Sequence, residues 1–185
     1  MLRVAAGQFK GMRLTAPPSI RATEGKVRQA VMNILGGMLD GARVVDGFAG
    51  SGALGIEALS RGASFVAFIE SEADSVIAIR DNLARLGSAL ALSTWRVLHM
   101  EIERGLRELA KSEAPFDLLL FDPPYRTPEG KKALNSVVEC AMLAPSGIVM
   151  IEHHRHDDLP ESAGPLRLRQ RHRYGDTVLS FYQQG

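Results

Sequence analysis

The sequence predicts an α/β domain built on a doubly wound, mostly parallel sheet of seven strands, which an antiparallel hairpin closes at the C-terminus. From Arg43 onward, short runs rich in β-branched and aromatic residues alternate with stretches of helical periodicity, as in successive βαβ units. Right-handed crossovers then place helices on both faces of the sheet. Residues 166–183 end the alternation, because two strand-like runs flank Tyr174-Gly175-Asp176 without a helix between them.

Length and composition fit one domain, with a core over residues 43–185 and an extension over residues 1–37. The chain has 185 residues, of which 45% are hydrophobic and 23% charged. No apolar run approaches the roughly 20 residues that cross a bilayer. We expect no secretory signal, because basic residues interrupt the apolar residues near Met1. The single cysteine, Cys140, excludes an internal disulfide and favours a reducing, cytoplasmic location. We also expect a monomer.

The extension is predicted to be a hairpin followed by a helix. Residues 2–17 have the pattern of two strands that turn at Lys10-Gly11, and the helix has Thr23 as its N-cap and Gly36-Gly37 as its end. Six basic residues in the extension, on a chain of net charge +1, indicate a polyanion-binding surface; solvated strands have the same pattern. The candidate nucleic-acid contacts are Arg3, Lys10, Arg13, Arg21, Thr23, Lys26 and Arg28.

A glycine-rich loop follows the first strand of the core. Gly50, Gly52 and Gly55 fit the pattern G-x-G-x-x-G, and Glu70 ends the next strand, where an acid can accept hydrogen bonds from ribose hydroxyls. This pattern alone leaves a nicotinamide-dependent enzyme open. Asp46 at the end of the first strand disfavours it, because a carboxylate there would repel a pyrophosphate. The same carboxylate suits S-adenosylmethionine, which carries an ammonium and a sulfonium and no phosphate.

Glu101, after the third strand, has two interpretations. It can meet the adenine amino group of such a cofactor, or it can be an ordinary acid in the first turn of a helix, which the helix dipole favours. The candidate cofactor-binding residues are therefore Asp46, Phe48, Ala49, Gly50, Ser51, Gly52, Glu70 and Glu101.

The fourth strand leads directly into Asp122-Pro123-Pro124-Tyr125, the candidate catalytic residues. Two prolines stiffen this loop and remove two N–H donors, so that it presents carbonyl acceptors. The Asp122 carboxylate and the Pro123 carbonyl can each accept an N–H from a planar amino group, and a base can stack on Tyr125. The loop therefore indicates in-line methyl transfer to the exocyclic nitrogen of a nucleobase, although a rigid turn without function has the same sequence.

Together these motifs resemble the RsmD family, the bacterial guanine-N2 methyltransferases of small-subunit ribosomal RNA. The resemblance spans nearly the whole chain, and FAGSGALGIEALSRGA at residues 48–63 is its most specific part. It implies S-adenosylmethionine as the methyl donor and a Rossmann-like methyltransferase fold. It also implies an acceptor guanine in 16S ribosomal RNA, within an assembling or assembled 30S subunit. Gly47 departs from the family, which usually has an apolar residue there.

Three other functions are compatible with these motifs. The D-P-P-Y motif also occurs in DNA adenine-N6 methyltransferases, and related motifs occur in protein-glutamine methyltransferases; a non-catalytic RNA-binding module could keep the same fold. We expect no substantial domain for reading a DNA sequence, which counts against the DNA enzyme. We predict no metal site at His153, His154 and His156, which are interpreted as loop histidines, and no nucleophile at Cys140, which lies in an apolar helix.

Overall fold

The computed structural model describes residues 2–17, 25–87 and 94–185. Arg21 and the predicted N-cap Thr23 lie outside the described residues. The α-helices are α1 (Gly25–Leu35), α2 (Ala53–Ser60), α3 (Ala73–Ala84), α4 (Ile102–Ser112) and α5 (Glu129–Glu139). The strands are β1 (Arg43–Gly47), β2 (Phe65–Glu70), β3 (Trp95–His99), β4 (Phe116–Phe121), β5 (Leu143–His154), β6 (Ser162–Ala163), β7 (Leu166–Tyr174) and β8 (Thr177–Gln184). Across these ranges no helix is long and apolar enough to span a membrane.

The strands form one sheet in the order β3-β2-β1-β4-β5-β8-β7-β6. Strands β1 to β5 pair in parallel, and β8 runs antiparallel to β5 and β7. The predicted doubly wound sheet with a closing hairpin is confirmed. The sheet has eight strands rather than seven, because the two residues of β6 pair with the outer side of β7.

The chain reverses its winding direction between β1 and β4. These strands are neighbours in the sheet, with Val44 opposite Leu118 and Gly47 opposite Phe121, but they are far apart in sequence. Helices that follow two such strands cross to opposite faces, so a crevice opens at the carboxyl ends of the strands. The glycine loop after β1 and the D-P-P-Y loop after β4 meet at this crevice.

Two apolar clusters, one on each face of the sheet, form the core. Consecutive strand residues alternate between them: Val44 and Leu118 belong to one cluster, and Val45 and Leu119 to the other. The first cluster contains the buried face of α1, where Val27, Val31, Met32 and Leu35 follow a helical repeat. Helix α1 ends at Leu35, before Gly36 and Gly37 as predicted, and a turn of 3₁₀-helix follows.

The N-terminal hairpin is much shorter than predicted. Within the described residues its strands share a single antiparallel bridge, between Arg3 and Arg13. The predicted two-residue turn at Lys10-Gly11 does not form; residues 5–11 make a wider loop instead. The wider loop forms because its contacts with the core outweigh the local preference of Lys10-Gly11 for a tight turn.

Those contacts are hydrogen bonds to α2. The N–H groups of Ala5 and Ala6 donate to the two carboxylate oxygens of Glu57 at 2.8 and 3.0 Å. Gly7 has φ +82° and lies so close to α2 that a Cβ there would fall 1.8 Å from the Ser60 carbonyl oxygen. The loop is therefore held in place by a buried acid and by a close backbone approach that a side chain would prevent.

Asn82 on α3 provides a second attachment for the extension. Its Oδ1 accepts the Thr15 N–H at 2.8 Å, and its Nδ2 donates to the Thr15 carbonyl at 2.8 Å and to the Ser51 carbonyl at 3.0 Å. Asn82 is fully buried. One side chain thus joins the extension to the glycine loop.

Replacing Ser60 with alanine should destabilise the protein. The buried Ser60 Oγ accepts the Phe9 N–H at 2.9 Å and donates to the Ala6 carbonyl at 2.6 Å, so Ser60→Ala leaves both groups without these partners. We expect the free energy of unfolding in urea to fall by about 1–3 kcal/mol. Ser146, which is exposed in β5, is the control, and Ser146→Ala should change the free energy of unfolding by less than about 0.5 kcal/mol. Equal effects of the two substitutions would contradict the attachment.

Candidate active site

A cavity of about 550 Å³ lies at the carboxyl edge of the parallel strands. Its size is that of a pocket for a small organic ligand. All the predicted catalytic and cofactor-binding residues line it except Gly52. The lining residues that argue for a ligand are Arg28, Asp46, Phe48, Gly50, Glu70, Glu72, Glu101, Asp122, Tyr125, Glu152 and Thr177.

Gly52 shapes the loop rather than lining the cavity. It is the N-cap of α2 with φ +74°, a left-handed conformation that favours glycine. A Cβ at this position would point into the core, 3.3 Å from both Ile79 and Phe68. Its contribution is therefore the tight turn that starts α2.

The start of the loop is constrained by aromatic packing. Phe48 has φ +59°, which is uncommon for a residue with a side chain, and its ring meets Phe121 edge to face at a centroid distance of 6.3 Å. A Cβ at Gly47 would lie 2.5 Å from the Phe121 ring and 2.7 Å from Ile102. Phe121 and Ile102 thus occupy the space that an apolar side chain at position 47 would need.

Asp46 is the most deeply buried acid of the cavity. It is 2% exposed, and its Oδ2 accepts the Gly55 N–H at 2.7 Å. Burial raises the pKa of this carboxyl well above its usual range; the hydrogen bond from Gly55 opposes the rise, and the nearby carboxylates of Asp122 and Glu70 add to it. A cation bound beside Asp46 would favour its ionised form.

The Glu70 carboxylate binds the backbone of the glycine loop and of the turn after β2. Its Oε2 accepts the Gly50 N–H at 2.7 Å and its Oε1 accepts the Glu72 N–H at 2.9 Å. Glu70 is 8% exposed, so these bonds hold its carboxylate at the wall of the cavity. Each carboxylate oxygen keeps a further acceptor site, which a ligand hydroxyl can use.

Glu101 stands at the N-cap of α4 and its side chain is exposed at the rim of the cavity. It makes no side-chain capping bond to the helix. Both sequence interpretations, a ligand contact and a helix-terminal acid, are compatible with this position.

The D-P-P-Y loop is held on three sides. The Asp122 N–H donates to the Gly47 carbonyl at 3.4 Å, which joins the loop to the end of β1. Pro123 is buried, and Gly130 of α5 packs so close that a Cβ would lie 3.3 Å from its ring. The Pro124 carbonyl accepts the Thr127 hydroxyl at 2.7 Å. Of the two proline carbonyls, that of Pro123 is therefore the better placed to serve a substrate.

Tyr125 is fixed through its hydroxyl. The hydroxyl donates to Glu152 Oε1 at 2.7 Å and lies 2.9 Å from Thr177 Oγ1. Burial raises the pKa of this phenol; the bond with Thr177 opposes the rise, and the Glu152 carboxylate adds to it. The ring centroid lies 5.9 Å from that of His154. The phenol thus stays neutral and its ring is oriented at the mouth of the cavity.

Among the lining residues that argue for a ligand, four were not predicted for the cavity. Glu72 follows β2, and Thr177 begins β8, whose position beside β5 no local pattern reveals. Glu152 lies near the end of the fifth parallel strand, so the strand-end argument that found Asp46 and Glu70 also applies to it. The fourth, Arg28, was assigned instead to the nucleic-acid surface.

The predicted nucleic-acid contacts divide into two groups. Arg3, Lys10, Arg13 and Lys26 are exposed, as such a role requires. Arg28 is only 5% exposed and lines the cavity, so it lies inside the protein rather than on the outer surface. The arginines of β7 are exposed as well: Arg167, Arg169, Arg171 and Arg173.

Two of the three histidines predicted as loop residues lie in a strand instead. His153 and His154 end β5 and are buried, whereas only His156 lies in the following turn. His153 Nε2 lies 2.9 Å from Ser180 Oγ, and burial lowers the pKa of its imidazole. Within residues 2–17, 25–87 and 94–185, no three His, Cys, Asp or Glu side chains form a group that could hold a metal ion. Cys140 is half-buried at the end of α5, rather than fully buried.

The charges of the cavity wall indicate what kind of ligand fits. In the described part of the chain, six carboxylates and one guanidinium line the cavity: Asp46, Glu70, Glu72, Glu101, Asp122, Glu152 and Arg28. Such a wall repels polyphosphates and attracts cations. S-adenosylmethionine fits these residues, because it has two cationic groups and hydroxyls for Glu70.

The chain is similar in sequence and in fold to known proteins. The family described as "Conserved hypothetical protein 95" matches residues 2–183. YlbH of Bacillus subtilis, named as a candidate rRNA methyltransferase, is 35% identical over 185 residues, covering 99% of each chain. Ribosomal RNA small subunit methyltransferase D of Escherichia coli is 30% identical over 185 residues, covering 99% of this chain and 90% of that protein. The structure of the candidate methyltransferase yhhF from Escherichia coli has a TM-score of 0.85 at 29% identity, covering 99% and 97%. The predicted methyltransferase fold is thereby confirmed.

Asp46 should make the cofactor-free protein less stable as the pH rises. A folded-state pKa above the unfolded value of about 3.9 means that the folded protein binds this proton more tightly. The resulting stabilisation is complete below the unfolded pKa and is lost as the pH rises through the folded pKa. Asp46→Asn keeps an acceptor for Gly55, so the melting temperature of the wild type relative to this variant should fall from acidic to alkaline pH.

The exposed Asp74 on α3 offers a matched control for this measurement. The melting temperature of Asp74→Asn should follow that of the wild type at every pH. Parallel curves for Asp46→Asn and the wild type would contradict the buried, proton-retaining state of Asp46.

Proposed function

The chain belongs to the Conserved hypothetical protein 95 family, the RsmD family that its motifs indicated, and we propose that it methylates the exocyclic N2 amino group of a guanine in small-subunit ribosomal RNA. The general activity of the chain is that of an rRNA methyltransferase that uses S-adenosylmethionine. The observation that carries the proposal is the meeting of an acidic cavity with the D-P-P-Y loop at the switch point of the sheet.

The acids of the cavity would hold the cofactor by charge. Asp46 faces the position where its ammonium or sulfonium would lie, and Glu70 would accept hydrogen bonds from the ribose hydroxyls. Phe48, Ala49, Gly50 and Ser51 would line its amino-acid part, with Gly52 setting the turn beneath them. Glu101 would meet the adenine amino group. When bound, S-adenosylmethionine supplies a methyl carbon that its sulfonium makes electrophilic.

The D-P-P-Y loop would hold the acceptor amine. The Asp122 carboxylate and the Pro123 carbonyl would each accept one N–H of the amino group, which fixes its plane and aims the nitrogen lone pair at the methyl carbon. Methyl transfer would break the bond between the methyl carbon and the sulfonium sulfur and leave a neutral thioether. The positive charge would pass to the acceptor nitrogen, where Asp122 would stabilise it. The nitrogen then loses one proton, which Asp122 can accept. Pro124 stiffens the loop and Tyr125 offers its ring to the base.

The substrate must present its base outside a helix. A paired guanine cannot reach a donor at the bottom of the cavity, so the target has to be unpaired or flipped out. The exposed basic residues of the extension, Arg3, Lys10, Arg13 and Lys26, would contact phosphates around it. We propose the extension over residues 1–37 as the RNA-binding part and residues 43–185 as the catalytic core. A substrate within the 30S subunit would place this monomeric enzyme in the cytoplasm.

Incubation with radiolabelled S-adenosylmethionine tests the proposal. Separate reactions contain small ribosomal subunits, their bare RNA, large subunits, DNA and protein, and nucleoside analysis identifies the product. We expect label in small-subunit RNA as N2-methylguanosine, and none after Asp122→Ala. Label as N6-methyladenosine in DNA, or in protein, would replace the proposal with that activity. No label in any pool would indicate a non-catalytic binding module.

The Tyr125 ring should contribute more than its hydroxyl. Tyr125→Phe keeps the stacking face and loses the bonds to Glu152 and Thr177, whereas Tyr125→Ala loses both. Base–aromatic stacking contributes about 1–3 kcal/mol, so kcat/KM for the RNA should fall roughly 5- to 150-fold in Tyr125→Ala and less in Tyr125→Phe. Equal losses in the two variants would show that the hydroxyl, not the ring, matters.

RNA affinity should depend steeply on salt and on the exposed extension. Each phosphate contact releases counterions, so the logarithm of the binding constant should fall linearly with the logarithm of salt concentration. Arg13→Glu should lower the affinity and reduce this slope. Lys111→Glu on α4 changes the net charge by the same two units at an exposed position away from the extension, and it should leave the slope unchanged. An unchanged slope in Arg13→Glu would exclude Arg13 from the interface.

A further inference from the structure

Arg28 is a buried cation in the wall of an acidic cavity. It lies on α1, is 5% exposed, and lines the cavity together with Leu2, Ser51 and Ala53. Its Nη2 donates to the Arg3 carbonyl at 2.9 Å. Among the described residues, its buried Nη1 has no hydrogen-bond partner.

Such a group is costly unless a ligand completes it. A guanidinium carries five N–H donors and stays charged in proteins, and a buried charged donor without an acceptor is strongly unfavourable. Burial lowers the pKa of Arg28, and Glu57 opposes this shift through its charge. The Glu57 carboxylate, however, already accepts N–H groups from Ala5, Ala6 and Arg61.

The ligand group that completes Arg28 is therefore an anion within the cavity. Six carboxylates and this one guanidinium line the cavity in the described ranges, so a fitting ligand is cationic in most places and anionic in one. The amino-acid head of S-adenosylmethionine has this distribution, because a carboxylate and an ammonium share one carbon atom. Its ammonium suits the carboxylates beside Asp46, and its carboxylate suits Arg28.

We propose that Arg28 binds the α-carboxylate of the cofactor and thereby selects ligands that carry an intact amino-acid head. This inference rests on the proposed use of S-adenosylmethionine. The position of Arg28 suits the role, since Leu2 of the extension and Ser51 of the glycine loop line the same cavity. The Arg3 carbonyl holds the guanidinium in place, so that little freedom is lost on binding.

Calorimetric titration of the whole protein with two ligands tests the proposal. S-adenosylmethionine and decarboxylated S-adenosylmethionine share the sulfonium, the ammonium and the nucleoside, and they differ only in the carboxylate. The wild type should bind the first about 10- to 100-fold more tightly, the range of a hydrogen bond between charged groups. Arg28→Met should lose that factor for S-adenosylmethionine and bind the decarboxylated ligand as the wild type does. Arg28→Lys should recover part of it.

Arg61 provides the matched control. It pairs with Glu57 at 3.0 Å but does not line the cavity, so Arg61→Met removes a cation beside the same acid without touching the ligand. Both ligands should bind Arg61→Met as they bind the wild type.

Several outcomes would overturn the proposal. Equal affinity of the wild type for both ligands would already overturn the proposal, before any variant is tested. Equal weakening of both ligands in Arg28→Met would show a structural role, and weakened RNA binding with unchanged cofactor binding would assign Arg28 to a phosphate. Failure of the wild type to bind either ligand would overturn the proposed function as well. A difference between the ligands that Arg28→Met keeps would overturn only the role of Arg28.

Discussion

Carboxyl groups held close together at the carboxyl edge of the sheet govern the rest of this structure. Asp46, Glu70 and Asp122 come from the ends of neighbouring parallel strands, and Asp46 is almost wholly buried. Such a group is unfavourable unless hydrogen bonds or an opposite charge compensate it. The N–H groups of Gly50 and Gly55 provide part of this compensation. The carboxylate charge that these hydrogen bonds do not compensate determines which ligand fits, because a cation in the cavity would neutralise it.

The N-terminal extension depends on the helices that also support the cofactor loop. Helix α2 begins at the glycine loop and carries Glu57 and Ser60, which bind the extension. Asn82 on α3 binds Thr15 of the extension and Ser51 of the loop with one amide group. The surface proposed for RNA and the loop proposed for the cofactor therefore share their supports, which fixes their relative position.

The sequence was informative wherever function follows from strand ends. Parallel strands have a recognisable apolar pattern, and their carboxyl ends share one edge, so Asp46, Glu70 and Asp122 could be placed together without a structure. The same rule fits Glu152, which was not among the residues predicted for the site. The N-terminal hairpin could not be predicted, because the hydrogen bonds of its loop go to Glu57, some fifty positions away.

A local sequence pattern does not reveal whether a charged side chain is buried, or whether neighbouring side chains fill the space at a position. Arg28 occupies a helix among other basic residues and has the sequence context of a surface group; its burial comes from the Arg3 carbonyl and the cavity wall. At position 47 the family usually has an apolar side chain, so Gly47 suggested that the core lacks that volume. The structure shows that Phe121 and Ile102 fill that volume from other strands and helices. Both cases have one cause: what a position requires is set by neighbours that are distant in sequence, so a residue's type reveals its role only once those neighbours are known.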